Sequence, residues 1–328
     1  MLAHLSRPDG EAALLHRSAE ATAAGLEAEH AGECDSRLRL VRHYRRIREL
    51  LLDALFSPMP PVRAWARLLL GRLGARDGLE TARLLAPPAH RMGAELFDGR
   101  GGRALLAGNA AHADIPAVAA GSGVFAWLLA MLAQEVGFPV PHGGAGRFAL
   151  ALASRARQAG AQLRTGTAVT RVVVRGGRAL GVRCADGTSI RARRAVLATC
   201  SVPSPFGSLV EADQLPAGVH RALHRFSWDT PTVKVNWALD APVPWRAAGA
   251  ATAGCIHLGA DADELAEWST ALTIGRPSLH TFALLGKMAV ADPARAPAGG
   301  RACGRTAICP RARPPRPPPR RSASGSRH

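Results

Sequence analysis

The sequence predicts an α/β fold, and three of its stretches carry that prediction. Residues 36–136 hold apolar positions at helical spacing over most of their length, which is typical of a nearly all-helical block. Residues 138–198 pass through a Gly/Pro turn, a helix, a hairpin and a strand, and residues 201–298 mix strands with helices. With 328 residues, the chain is long enough to bury a core in one large domain or two.

The N-terminal part is predicted to contain one short strand followed by helices. Ser18 is a suitable N-cap for the first helix, and Asp35–Ser36 are expected to cap a longer one. Six arginines along that longer helix indicate either a phosphate-binding stripe or, more simply, a solvated helix face. The predicted elements are a strand at Ala12–Leu15 and helices at Ser18–Glu29, 35–55, Val62–Leu73 and Val118–Val136.

The central stretch gives the clearest local signals. The pairs Gly176-Gly177 and Asp186-Gly187 separate β-branched runs, and such two-residue turns are the strongest short-range indication of a hairpin. The predicted elements here are a helix at Phe148–Gln158 and strands at Val169–Val174, Leu180–Arg183 and Arg194–Thr199. Beyond them, the pattern predicts helices at Pro216–Phe226 and Asp261–Thr270, and strands at Thr232–Ala238, Cys255–Leu258 and Leu279–Met288.

The net charge of +17 suggests a nucleic-acid partner until its distribution is considered. Nine arginines and no acidic residue follow Asp292, so the tail carries +9 of the total. The remaining body carries +8 with acidic residues interspersed, which is ordinary for a globular protein. We therefore predict that the chain does not bind nucleic acid.

The spacing of the cysteines and the length of the apolar runs indicate the cellular compartment of the chain. The six cysteines are widely spaced without a CxxC pair, which argues against a metal or disulfide framework and predicts reduced thiols. The N-terminus lacks the pattern of a signal peptide. The longest apolar run, residues 123–133, is too short to span a bilayer and predicts a buried helix. We expect a cytoplasmic protein, with peripheral membrane contact left open.

Two stretches match the dinucleotide-binding pattern GxGxx(G/A). The first begins at Gly121 and lacks both a preceding strand and the acidic residue that binds a ribose, so it indicates small residues where helices approach closely. The second begins at Gly144 and opens a helix, so its N–H groups could face an anion. It also lacks the acidic residue, because the next one after Glu135 is Asp186.

A further set of polar and aromatic residues includes candidates for a site, although each is more often structural. No Ser-His-Asp order, HExxH motif, P-loop or paired-ligand spacing accompanies them. These residues are His112, Asp114, Trp228, Asp229, Lys234 and Trp237.

The central stretch resembles a known family in the order of its motifs. PHGGAG, a helix, VTRVVVRGGRALGVRCADG and RRAVLA follow one another as in the phytoene desaturase-like FAD-dependent oxidoreductases, close to their NAD(P)/FAD-dependent branch that includes pyridine nucleotide-disulfide oxidoreductase domain-containing protein 2. Residues 95–136 and 226–263 resemble the same family, so the similarity covers roughly residues 1–298. It implies an α/β fold: an incomplete Rossmann-type FAD-binding domain with an inserted helical/mixed-sheet substrate domain.

The resemblance also assigns parts and roles. It implies a connection at 1–35, substrate-domain parts at 36–136 and 201–298, and FAD-domain elements at 137–200. It implies FAD-dependent dehydrogenation or desaturation of a small apolar substrate, with hydride transfer to the flavin. Gly143 and Gly144 would lie beside the flavin, Val169 would begin the strand bordering the adenine, and Ala198 and Thr199 would cross back toward the cofactor. Ordinary sheet core is the alternative interpretation of that strand.

Family members begin with a strand–GxGxxG–helix unit and end with a second Gly-rich flavin segment, and this sequence matches neither. We therefore expect a truncated chain with impaired FAD binding. An inactive remnant of the family and, less favoured, a basic protein that binds partners through its Arg/Pro tail remain alternatives.

Residues 299–328 are dominated by Arg, Pro and Ser and are predicted to be disordered. Pro314–Pro319 could serve as an SH3-type ligand. A shifted reading frame is the simpler hypothesis. Codons for Arg305–Pro310 can also encode Tyr-Ser-His-Leu-Pro, and the resembling family carries Tyr-x-His-x-Pro at this point.

Overall fold

The computed structural model describes residues 2–5, 12–58, 60–63, 66–67, 74–247, 249–259, 261–296 and 301–308. It is a mixed helix and strand α/β structure that divides into two compact units. The first unit is Met1–Ala145 together with Thr230–His328, and the second is Gly146–Asp229.

Helices and strands are interspersed along the described chain. The helices are α1 (Ala19–Glu29), α2 (Glu33–Phe56), α3 (Gly74–Leu85), α4 (Ala89–Leu96), α5 (Arg100–His112), α6 (Ser122–Glu135), α7 (Ala145–Gln158), α8 (Ala217–His224), α9 (Ala262–Thr273) and α10 (Met288–Ala291). The strands are β1 (Leu2–Leu5), β2 (Ala12–Leu15), β3 (Val169–Arg175), β4 (Arg178–Cys184), β5 (Ser189–Arg191), β6 (Thr232–Leu239), β7 (Cys255–Leu258), β8 (Ala283–Gly286) and β9 (Arg301–Ile308).

The first unit contains a six-stranded sheet in the order β2-β1-β7-β8-β9-β6. Strand β1 runs parallel to β7, with Leu2 opposite Cys255, and the other pairs are antiparallel. Helix α5 packs against β1 and β2, and α9 packs against α5. The helices cover one face of the sheet and bury Phe282 together with Leu265 and Trp268. Ile256, which alternates with His257 along β7, is buried on the other face beside Ala250 and Ala253.

The helical core of this unit centres on Trp127 of α6, which is fully buried. Its indole N–H donates to the backbone oxygen of Leu40 at 3.3 Å, and its ring meets Tyr44 edge-on with centroids 6.0 Å apart. Ile47 and Leu51 of α2 complete the contact. The apolar run at residues 123–133 is thus a buried core helix, as predicted. Among the described helices, none is long and apolar enough to cross a membrane.

The first GxGxx(G/A) stretch serves helix packing, which confirms that interpretation. A Cβ atom at Gly123 would lie 2.8 Å from the Met92 sulfur and 2.9 Å from the Pro87 carbonyl oxygen. Both distances are below van der Waals contact, so only glycine lets α6 approach the start of α4 this closely.

The second unit contains α7 and the three-stranded sheet β3-β4-β5. Gly176 and Gly177, both with positive φ (54° and 71°), join β3 to β4 as the sequence predicted. None of the side chains of α7 is buried, and its apolar residues Phe148, Leu150 and Leu152 are exposed.

Several sequence-based boundaries were wrong. Residues 194–199 form no strand, because no described strand lies beside them to accept their backbone hydrogen bonds. The helix expected to start at Asp35–Ser36 begins two residues earlier, after Gly32 with φ 90°. The strand expected at Leu279–Met288 is shortened to β8.

The tail prediction was wrong for residues 301–308, which form β9. They pair with β6 on one side and β8 on the other, since two strand edges with free backbone groups accept an extended segment whatever its sequence pattern. The rest of the predicted disordered tail, with Pro314–Pro319, lies outside the described residues, as does most of the helix predicted at Val62–Leu73.

Candidate functional site

The Gly143-Gly144 turn lies just before α7 and has a left-handed backbone. The φ angles of the two glycines are 74° and 98°, which residues with a side chain rarely adopt. The N–H of Gly144 donates to the carbonyl oxygen of Pro141 at 3.1 Å and closes the turn. A Cβ atom at Gly144 would meet nothing within 4 Å, so open space borders the turn there.

A buried carboxylate braces this turn. The N–H of Gly143 donates to Oδ2 of Asp292 at 2.7 Å. Nε of Arg295 donates to the same oxygen at 3.1 Å, and the Arg295 guanidinium also donates to the carbonyl oxygen of Pro141. The Gly143 hydrogen bond, with smaller contributions from Arg295 and His142, holds the pKa of Asp292 below its ordinary value.

Asp292 limits what the N–H of Gly143 can bind. Its carboxylate already accepts that N–H and is paired with Arg295, so the N–H is not available to a phosphate. The anion-binding alternative concerns the stretch that begins at Gly144, where the Gly144 N–H is taken by Pro141. For the N–H groups at the start of α7 it stays a prediction.

The other three predicted cofactor-binding residues belong to the second unit. Val169 begins β3 and pairs with Cys184 of β4, and its side chain is exposed. Ala198 and Thr199 are exposed and lie in irregular chain, so the predicted position at the end of a strand was wrong. Gly143 and Gly144 share one turn of the first unit, and Ala198 and Thr199 are consecutive in the second unit.

Two histidines and a cysteine converge in the first unit. Nδ1 of His112, at the end of α5, lies 2.9 Å from Nε2 of His257 on β7. The Cys255 thiol lies on the same strand two residues earlier, and one donor atom from each residue lies within 4.8 Å of those of the other two. Burial lowers the pKa of His112 and raises the pKa of Cys255 to about 11, because burial penalises the charged form of each.

The sequence singled out His112 but not its neighbours, because His112 and His257 are 145 residues apart. The available signal was the alternation Cys255-Ile256-His257, which places the cysteine and the histidine on one face of a strand. Asp114, also singled out, has φ 56° in the loop after α5, away from helical geometry.

The remaining residues singled out by the sequence occupy two places. Lys234 and Trp237 lie on β6, three residues apart and therefore on opposite faces of the strand. Trp228, in the second unit, meets Phe226 edge-on with centroids 5.1 Å apart. Asp229, next to Trp228, is exposed.

Comparison with known proteins identifies one family. The sequence profile of the flavin containing amine oxidoreductases matches residues 69–302. The match covers α3 to α10, strands β3 to β8 and the first two residues of β9. No curated protein matches the chain.

Proposed function

The chain belongs to the flavin-containing amine oxidoreductase family, and from that membership we propose that it is a FAD-dependent dehydrogenase or desaturase acting on a small apolar substrate. The family supports FAD as cofactor and flavin-dependent oxidation as the general reaction. The apolar substrate and the dehydrogenase type are the proposed refinement.

The row of side chains on one face of β6 carries the proposal. Val233, Val235 and Trp237 alternate along the strand and are 52%, 43% and 38% exposed. Alternating apolar residues normally face a core, so three exposed ones in a row indicate a surface for an apolar ligand. Trp237, with its wide ring, would supply the largest contact area.

The Gly143-Gly144 turn is the proposed neighbour of the flavin. The open space beside Gly144 leaves room for a flat group, and the N–H of Gly143 is already taken by Asp292. When bound, FAD supplies the hydride acceptor, and the protein supplies binding and orientation. We propose that α7 and the β3-β4-β5 hairpin sheet belong to an incomplete Rossmann-type FAD domain, with Val169, Ala198 and Thr199 toward the cofactor.

An inactive remnant of the family is the second candidate, and one feature of the second unit favours it. The side chains of α7 are not buried, and Ala198 and Thr199 lie in exposed irregular chain. Exposed segments of this kind enclose little of a bound cofactor, so they contribute little buried contact area to its binding.

The deciding experiment is FAD retention by the full chain. The purified chain is mixed with excess FAD, desalted, and its visible flavin absorbance is compared with the protein concentration. Retention at close to one FAD per chain supports the proposal. A colourless protein overturns FAD binding by this chain and leaves the inactive remnant.

Two glycine variants test the position of the flavin. Gly144→Ala and Gly187→Ala place a side chain at φ 98° and 85°, and neither new Cβ meets an atom within 4 Å. The backbone strain is thus similar, roughly 1–2 kcal/mol each. We expect only Gly144→Ala to weaken FAD retention beyond its loss of stability. Equal weakening by the two variants would contradict a flavin beside this turn.

The substrate row is tested separately. If FAD is retained, Trp237→Ser should raise KM for apolar substrates and leave FAD retention unchanged. The control is Trp228→Ser, which replaces a tryptophan outside the row. An unchanged KM in Trp237→Ser, or an equal rise in the control, would overturn the assignment of β6.

A further inference from the structure

Three potential metal ligands meet inside the first unit, where no part of the flavin proposal requires them. His112 comes from the end of α5, and Cys255 and His257 come from one face of β7. Their donor atoms all lie within 4.8 Å of one another. We propose that these three residues bind a divalent transition metal of the zinc class.

The donor set fits such a metal chemically. Zinc takes imidazole nitrogen and thiolate sulfur, and a His₂Cys set leaves one position of a tetrahedron open for water or a fourth ligand. Hard cations such as magnesium and calcium prefer oxygen ligands and are disfavoured by these donors.

The distance between the two histidine nitrogens is close to that of a loaded site. Two nitrogens bound to tetrahedral zinc at about 2.0–2.1 Å lie about 3.3 Å apart. The His112 and His257 nitrogens lie 2.9 Å apart, as a hydrogen bond requires. The two nitrogens must therefore move apart by about 0.4 Å to admit the metal, and side-chain motion at the end of a helix can supply that distance.

Aromatic rings hold the two imidazoles in place. The ring of His112 stacks on Phe138 at 5.6 Å, and the ring of His257 meets Phe282 at 5.4 Å. His257 and Phe282 are fully buried. Preorganised rings lose little freedom on binding, and an apolar surround strengthens the attraction between a metal ion and a thiolate.

The position on two different elements gives the site a structural consequence. His112 belongs to α5, whereas the other two ligands belong to the strand that pairs with β1 and β8. A bound metal would therefore tie α5 to the middle of the six-stranded sheet. Binding to the folded state alone would raise the stability of this unit.

Cobalt(II) titration of the metal-stripped, untagged full chain tests the proposal. A thiolate bound to cobalt produces an intense charge-transfer absorption, and zinc should displace the cobalt and abolish it. We expect saturation at one cobalt per chain. Absence of the thiolate absorption would overturn the proposal.

Matched variants identify the ligands. Cys255→Ser and His112→Gln should each weaken cobalt binding at least tenfold, whereas Cys200→Ser, at an exposed cysteine of the second unit, should leave it unchanged. His257 is avoided because replacing a fully buried side chain can prevent folding. Absorption that survives Cys255→Ser, or that Cys200→Ser reduces equally, would overturn the assignment.

Thermal unfolding gives a second readout that does not depend on colour. Zinc should raise the unfolding midpoint of the unmodified chain and of Cys200→Ser, but not of Cys255→Ser. An equal rise in all three would place the bound zinc elsewhere. FAD retention is measured separately, so its failure and the failure of the metal proposal are distinguishable.

Discussion

Gly143 donates its backbone N–H to the carboxylate of Asp292, 149 residues further along the chain, at an N···O distance of 2.7 Å. Arg295 donates to the same oxygen of that carboxylate at 3.1 Å. The turn before α7 is therefore fixed by the segment that follows β8. The Gly143-Gly144 turn, which was predicted to lie beside the flavin, thus depends on Asp292, a residue that no sequence motif indicates.

Stability should fall in acid partly through Asp292. Its pKa is lowered in the folded state, chiefly by the Gly143 hydrogen bond, from an ordinary value of 3.8. A lowered pKa contributes stability that is fully present above the unfolded-state pKa and is lost as the pH falls through the folded-state pKa. Urea unfolding at several values from about pH 5 to about pH 2 should show this loss in the unmodified chain and less of it in Asp292→Asn.

Arg295→Gln separates the two partners of that carboxylate. The Gly143 hydrogen bond is the larger cause of the lowered pKa, so most of the acid dependence should persist without the arginine. If Arg295→Gln removed as much of the acid dependence as Asp292→Asn, the arginine and not the Gly143 hydrogen bond would be the main cause of the lowered pKa of Asp292.

Trp127→Ala should destabilise the first unit strongly. The side chain is fully buried, meets Tyr44 edge-on and donates to the Leu40 carbonyl oxygen. Removing a large aromatic ring from a packed core costs about 3–5 kcal/mol of unfolding free energy. Urea unfolding followed by circular dichroism measures this loss. Trp228→Ala, at a half-exposed position, is the control and should lose much less.

The sequence predicted those elements that local chemistry determines. Ser18 accepts the N–H of Ala21 at 3.0 Å and caps α1, as its position before an apolar-periodic run indicated. The hairpin turn at Gly176-Gly177 needs two positive φ angles, which two glycines supply without neighbours. Strands β2 and β7 also have the predicted bounds.

Elements that depend on distant partners could not be predicted in this way. The start of helix α2 at Glu33 was missed for a nearer reason, because the carboxylate of Glu27, in α1, accepts the N–H groups of Gly32 and Cys34. Strand β9 exists because it lies between β6 and β8, and Arg194–Thr199 is no strand although its composition favours one. Arg37 is another case, because its side chain is buried and donates to the side-chain oxygen of Gln134. Exposed arginines further along α2 form the predicted solvated face: Arg42, Arg45, Arg46 and Arg48.

Two glycines in helices should respond to alanine in opposite directions. A Cβ atom at Gly102 in α5 would overlap the ring of Phe97 and lie 2.7 Å from Oε2 of Glu33. Overpacking of this kind costs about 1–3 kcal/mol. A Cβ atom at Gly25, which is exposed in α1, would meet nothing within 4 Å, so Gly25→Ala should stabilise by about 0.5–1 kcal/mol. Unfolding midpoints of the two variants check the sign of each change.

Helix α9 offers a test of its N-terminal cap. The Asp261 carboxylate accepts the N–H groups of Asp263 and Glu264, each at 3.1 Å, and Glu264 returns a contact to the Asp261 N–H at 3.0 Å. Losing such a cap costs about 0.5–2 kcal/mol, so Asp261→Ala should lower the unfolding free energy by that amount. The measurement is again urea unfolding.

Asp261→Asn distinguishes the cap from the ion pair that the same carboxylate makes with Arg100 at 3.3 Å. Asparagine caps a helix as well as aspartate does, but it carries no charge for the arginine. Because an exposed ion pair contributes only about 0–1 kcal/mol, the asparagine variant should retain most of the stability. An equal loss in the two variants would assign the stability to Arg100 pairing and not to the cap of α9.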